Sequence, residues 1–132
     1  MPNFIEFSRQ DSRRDDDPMF TLQTRGLVSL NFAAFKALSE PATVALLYDP
    51  DERIVALRKV PRNYPNGYHV RKQGASNSYL VAAQGFVSFH KIDCDVSRRF
   101  VGHDYGENTW GFNLAEGTEV RGRGARSSAG AQ

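Results

Sequence analysis

Residues 21–60 read TLQTRGLVSLNFAAFKALSEPATVALLYDPDERIVALRKV. The spacing of apolar residues in this stretch changes from two to helical and back to two. Phe20 and Leu22 share one face of a strand at period two. Gly26 supplies a turn, and Val28 and Leu30 form the buried face of the next strand. Asn31 stands where a helix needs a cap, because its side chain can accept an orphan backbone N–H. Phe32, Phe35 and Leu38 follow at i, i+3 and i+6, which predicts an apolar stripe on a short helix. Ala33, Ala34 and Ala37 favour that helix and Pro41 marks its exit. Residues 44–48 read as an apolar strand, Asp49-Pro50-Asp51-Glu52 as a turn, and residues 54–57 as the returning strand. The unit is strand, strand, short helix, strand, strand.

The same order of patterns recurs. FTLQTRG (20–26) has a counterpart in YHVRKQG (68–74), and LVSL (27–30) in SYLV (78–81). Phe32, Phe35 and Leu38 match Ala83, Phe86 and Phe89. VALLYD (44–49) matches RFVGHD (99–104), and IVAL (54–57) matches GFNL (111–114). Pro61, Pro65 and Asn66-Gly67 break regular structure in a linker, 61–67. The second helix is the poorer one, because Gly85 inside it costs about 1 kcal/mol relative to alanine. The expectation is a mostly β chain with short helices, an α+β fold of two tandem ββαββ units. They occupy 19–60 and 68–116 of a single domain, 19–116.

The flanks differ in composition. Residues 8–18, SRQDSRRDDDP, hold no apolar side chain and read as a flexible charged tether, with Phe4, Ile5 and Phe7 before it as an edge strand, within an N-terminal segment 1–18. Residues 117–132 are rich in Gly, Arg and Ser and are expected to form a disordered tail.

The repeated element order resembles the AbrB/MazE/MraZ-type swapped-hairpin family, most clearly over residues 21–60 and again over 68–114. In that family two hairpin pairs interleave into one small barrel. Tandem members supply both copies from one chain. The resemblance implies that this chain closes such a barrel by itself and that it binds DNA through basic residues on its hairpins. Family members tend to start the helix with Gly-Arg-Val-x-Ile-Pro. Here the matching stretch is Gly26-Leu-Val-Ser-Leu-Asn31, and Arg25 precedes the glycine.

Length and composition bound the alternatives. The 132 residues suit one domain, and 40% hydrophobic with 24% charged residues is ordinary soluble globular material. No apolar run approaches the roughly 18 residues of a spanning helix. The opening MPNFIEFSRQDSRR lacks the basic-then-apolar order of a secretion signal, so a cytoplasmic location and no membrane partner are expected. Cys94 is the only cysteine, which excludes an internal disulfide and any all-cysteine zinc site.

The net charge of +2 hides a pattern. Between residues 53 and 92 stand Arg53, Arg58, Lys59, Arg62, Arg71, Lys72 and Lys91, with no acid at all. Such a segment can make a positive face for an anionic partner, or mix with acids from elsewhere in the fold. On the resemblance, Arg25 at the first hairpin tip and Arg71 and Lys72 near the matching place in the second unit would touch DNA. Arginine can donate two parallel bonds to guanine, and lysine adds phosphate charge. Arg58, Lys59 and Arg62, interleaved with Tyr64 and Tyr68, extend the basic surface. Duplex DNA is the expected nucleic acid, ahead of single strands stacked on tyrosine.

Catalytic chemistry finds no footing. Cys94 lies between Asp93 and Asp95, which disfavour a thiolate. His69, His90, His103, Cys94 and Asp104 form no recognised ligand spacing, so no metal and no cofactor are expected. Asp15, Asp16 and Asp17 lie in the tether, where no general base can be positioned. Two readings stay open: a non-enzymatic DNA-binding protein, transcriptional regulator or chromosome-associated factor, and a protein-interaction module or homodimer on the same scaffold, anchored by aromatics such as Trp110 or Tyr105.

Overall fold

The structure is a computed structural model that describes residues 17–75 and 77–120. The expected edge strand at Phe4, Ile5 and Phe7, most of the tether, and the tail from Arg121 onward lie outside the described residues.

β1 (Met19–Leu22) and β2 (Leu27–Leu30) form the first hairpin, each with strictly alternating burial. α1 (Phe32–Ala37) follows, then the long hairpin of β3 (Thr43–Asp49) and β4 (Ile54–Val60). The second half runs β5 (Tyr68–His69), β6 (Arg71–Lys72), β7 (Tyr79–Ala82), α2 (Gln84–Phe89), β8 (Arg98–Val101), β9 (His103–Gly106) and β10 (Thr109–Asn113). A 3-10 turn (Leu114–Glu116) and β11 (Thr118–Glu119) close the described chain. The fold is mostly β, with two antiparallel sheets and two short helices. The first sheet has the order β11-β8-β1-β2-β7-β6 and the second β5-β3-β4-β10-β9.

Two segments cross from one sheet to the other. Val70 separates β5 from β6 and donates its N–H to Ala42 O at 2.9 Å; Gly102 separates β8 from β9 and donates to Pro18 O at 2.8 Å. Strands that bend and change sheet make the corners of two packed sheets. A Cβ at Gly102 would stand 2.8 Å from Phe20 Cε1 and 3.0 Å from Pro18 O, so the chain turns tightly round that ring. The regular ladder is interrupted at both corners, and the strands form two sheets where a single closed barrel was expected.

The sheets face each other across an aromatic core. The Phe112 ring of the second sheet stacks on Phe100 at 4.6 Å and on Phe20 at 5.4 Å, both from the first. Leu30, Leu38, Val44, Leu57 and Val81 complete it, all fully buried. Fully burying one such side chain contributes roughly 1.5–3 kcal/mol, which outweighs any hydrogen bond at the rim.

The helix stripe departs from the expectation. Phe32 is 43% exposed, whereas Ala34 and Leu38, one turn apart, face the core. Phe35 is half-buried and stacks on Tyr79 at 3.7 Å. In α2 the buried residues are Phe86 and Val87, and Phe89 is 80% exposed. The small Ala34 lets α1 lie close to the sheet, so the buried face is set by backbone approach and not by the largest side chains.

The exits of both helices are built alike. Phe35 N to Asn31 O, Leu38 N to Ala34 O, Ser39 N to Lys36 O and Glu40 N to Phe35 O recur as Val87 N to Ala83 O, His90 N to Phe86 O, Lys91 N to Ser88 O and Ile92 N to Val87 O. Strand pairing extends the correspondence with a corrected register. Phe20 pairs with Phe100 as Tyr68 pairs with Val44, so Val44 corresponds to Phe100 and not to Arg99. Leu47 pairs with Ala56 as His103 pairs with Gly111, so Leu57 corresponds to Phe112 and not to Leu114.

The tail boundary also moves. β11 pairs Thr118 with Arg99 and Glu119 with Arg98, and Val120 N donates to Ser97 O at 2.9 Å. The outer edge of β8 would otherwise leave its backbone groups unpaired, and the returning chain covers them. The ordered fold therefore continues past residue 117.

Candidate nucleic-acid interface

The β4–β5 connection and the corner at Val70 gather five of the six predicted basic residues. At one end of the second sheet Thr43 pairs with both Val60 and His69. Lys59 and Arg58 approach that end along β4, Arg62 follows it, and Arg71 and Lys72 leave the corner on β6. Arg58 and Lys59, being neighbours on a strand, point to opposite faces. Arg58 is half-buried and its Nη2 donates to Tyr64 Oη at 3.4 Å. Lys59 reaches past the core end, and its Nζ donates to Ser39 O at 3.0 Å behind α1. Arg62, Arg71 and Lys72 are exposed. They hold no ion pair or side-chain hydrogen bond among the described residues.

The charges are sorted along the β3–β4 hairpin. Its turn, at the opposite end of the sheet, carries Asp49, Asp51 and Glu52, with Asp49 Oδ1 accepting from the N–H groups of Asp51 at 3.0 Å and Glu52 at 3.1 Å. Acids also come near the basic end. Glu107 sits in the β9–β10 turn, and Glu40 is engaged by Lys36 at 2.8 Å. That bond, and then the charge of each partner on the other, hold the Glu40 carboxyl below the usual carboxylate range and the Lys36 ammonium above its own.

Arg25 lies elsewhere. β2 begins at Leu27 opposite Ala82 and ends at Leu30 opposite Tyr79, so the β1–β2 turn and the β6–β7 turn leave the sheet at opposite ends. A four-residue strand, about 13 Å by the rise per residue, separates those ends. Arg25 shares an open depression of about 300 Å³ with Lys91 and Cys94. The Cys94 thiol donates weakly to Thr24 O at 3.6 Å.

The histidines are dispersed. His69 Nδ1 stands 3.5 Å from Thr43 Oγ1, His90 lies among the rings of Tyr48, Phe86 and Phe89, and His103 Nε2 meets Glu116 Oε1 at 2.9 Å. Burial, helped by the Glu116 charge, pushes the Tyr105 hydroxyl above its ordinary pKa. Among the described residues no three His, Cys, Asp or Glu side chains are grouped to hold a metal ion, and no helix is long and apolar enough to cross a membrane.

Sequence reasoning missed Arg99. It is exposed on the outer face of the first sheet, in register with Thr21 on one side and Thr118 on the other. The signal was there in the alternation of β1 and β2, where Thr21 and Ser29 occupy the face opposite the core residues.

Protein-family models, curated proteins and solved structures were all compared with the chain, and none matches it.

Proposed function

We propose that this is a small non-enzymatic DNA-binding protein, a transcriptional regulator or chromosome-associated factor, whose basic end carries Lys59, Arg62, Arg71 and Lys72 against the phosphates. The observation that carries this reading is that Arg62, Arg71 and Lys72 lie exposed without acidic partners among the described residues, on a segment that contributes no acid between residues 53 and 92. Cations left free in this way release counterions from a duplex when they bind it. Arg58 contributes less, since its guanidinium is held by Tyr64, and Arg25 touches the duplex only if the nucleic acid spans the sheet.

The fold belonging to this reading is a tandem swapped-hairpin arrangement of the AbrB/MazE/MraZ type, two ββαββ units in one chain. Its support is the duplicated helix exit and the antiparallel joints between halves, β2 with β7 centred between the pairs Val28–Val81 and Ser29–Leu80, and β4 with β10 centred on Ala56 and Gly111.

Fluorescence anisotropy of labelled random duplex and single-stranded DNA tests the function. With about four phosphate contacts, affinity for the duplex is expected to fall roughly 100-fold between about 50 and 200 mM salt. Arg62→Ala and Arg71→Ala are each expected to lower the salt slope by about one. No duplex binding at low salt would overturn the reading.

One observation favours a protein-interaction module instead. Phe89 stands 80% exposed against the His90 ring at 4.9 Å, an apolar anchor of the kind that partners bury. A stoichiometric protein partner, recovered with the native chain and lost with Phe89→Ser, would favour this second reading.

A further inference from the structure

The outer face of the first sheet carries two adjoining cavities with Arg99 on the wall between them. The smaller, about 120 Å³, is lined by Met19, Thr21, Ser29, Asn31, Ser78 and Arg99 among others, and no acid borders it. The larger, about 500 Å³, shares Met19 and Arg99 with it. That volume lies within the range of small-molecule sites. The Arg99 side chain makes no ion pair or hydrogen bond among the described residues, and neither do the hydroxyls of Thr21, Ser29 and Thr118. Register aligns them: Thr118 pairs with Arg99, Arg99 with Thr21, and Thr21 with Ser29. Adjacent strands are about 4.8 Å apart, so the Thr21 and Ser29 hydroxyls stand side by side and the long Arg99 side chain, one strand away, reaches the same tetrahedral oxyanion.

The larger cavity has the opposite chemistry. Asp17, Glu116 and Glu119 are among its lining residues, and Met19, Val101 and Val120 give it apolar wall. Glu116 Oε1 accepts from His103 and Oε2 keeps its own lone pairs, while Glu119, in register with Arg98, alternates to the other face of β11 from Thr118. A ligand filling both cavities carries an oxyanion at one end and a flat, partly apolar body with N–H donors at the other.

We propose that these cavities form one site for a nucleoside monophosphate, with the phosphate on Arg99, Thr21 and Ser29 and the base in the larger cavity. Guanine suits the carboxylates best, since its N1–H and N2–H₂ present adjacent donors on one edge. The site lies on a different surface from Lys59 and Arg62, and the inference does not rest on duplex binding.

Isothermal titration of the full chain with GMP, guanosine and inorganic phosphate tests it. GMP is expected to bind at least about tenfold more tightly than guanosine or phosphate, since each of these fills one cavity only. Arg99→Gln is expected to weaken GMP by roughly tenfold or more, because the planar fork matches phosphate and glutamine does not. Thr21→Val combined with Ser29→Ala removes the hydroxyls without touching the charge and should weaken GMP while sparing guanosine. No GMP binding at millimolar concentration, GMP binding unchanged in Arg99→Gln, or phosphate binding as tightly as GMP would each overturn the assignment. The Lys59→Ala/Arg62→Ala double variant, on β4 and its exit in the other sheet, is expected to bind GMP like the native protein. Its failure on duplex DNA bears on the proposed function alone.

Discussion

The two helices are the same length and leave the sheet by the same four backbone bonds, yet they share almost no side-chain chemistry. α1 is capped by Asn31, whose Oδ1 accepts from Ala34 N at 2.9 Å and from Met19 N at 3.0 Å; α2 begins at Ala83 with no side-chain cap. At the C-cap, Leu38 is fully buried where His90 is half-buried among rings. Inside, Ala33 stands where the second helix has Gly85, and the Lys36–Glu40 ion pair corresponds to Ser88 and Ile92. Both exits turn through a left-handed residue, Ser39 at φ 65° and Lys91 at φ 54°. A helix of six residues has no stability of its own. What the halves share, a buried inner face and the exit turn, therefore holds each helix, and the cap and the ion pair are local additions.

Substitution at the C-caps should separate the halves most. Leu38→Ala removes a fully buried side chain and is expected to cost about 2–5 kcal/mol, read by denaturant unfolding. His90→Ala, at the corresponding place, is expected to cost less than about 1.5 kcal/mol, since its ring is partly in solvent. Equal losses would mean that both caps bear on the core alike. Asn31→Ala comes next, at about 1–2 kcal/mol. It frees the N–H groups of Ala34 and Met19 and the carbonyl of Asp17 to which Nδ2 donates at 2.8 Å.

The order of elements was legible because turn residues and apolar spacing punctuate the chain. Register was not. Matching large apolar residues put Phe32 on the core face, whereas close packing selected Ala34. The second half breaks two strands at corners, Val70 and Gly102, and such a break changes the count of residues without changing the sequence pattern. For the candidate interface, the acid-free stretch named residues that the fold gathers at one end of a sheet, but only pairing could tell that Arg25 leaves the sheet at the far end from Arg71. That Arg58 and Lys59 oppose each other follows from period two alone. Arg99 was hidden because an arginine beside Arg98 in an otherwise mixed segment reads as solvated strand charge until Thr21 and Thr118 are seen beside it.

The second helix can be brought toward the first. A Cβ at Gly85 meets nothing within 4 Å and the residue is exposed with ordinary backbone angles, so Gly85→Ala is expected to stabilise by about 0.5–1 kcal/mol. Thermal unfolding reads the gain. A loss of stability would overturn the reading of position 85 as an open, regular helix site.

The smallest effect belongs to the Lys36–Glu40 pair, since both side chains are more than half exposed. Glu40 has its folded pKa lowered, first by the hydrogen bond from Lys36 and then by its charge. Its contribution is present above the ordinary carboxylate range and is lost as pH falls through the lowered value. Lys36 is raised by the same causes, so its share is present below the ordinary lysine range and is lost as pH rises through the raised value. Glu40→Gln should lower the melting temperature slightly at neutral pH and low salt, and the difference should vanish near 1 M salt, where the screening length is about 3 Å. A salt-independent loss would show that Glu40 acts through its left-handed exit geometry, at φ 51°, and not through charge. The pair cannot be carried over to the second half. Ile92, its counterpart there, is buried against the core, and a glutamate in its place would lose its water before it met any lysine at position 88.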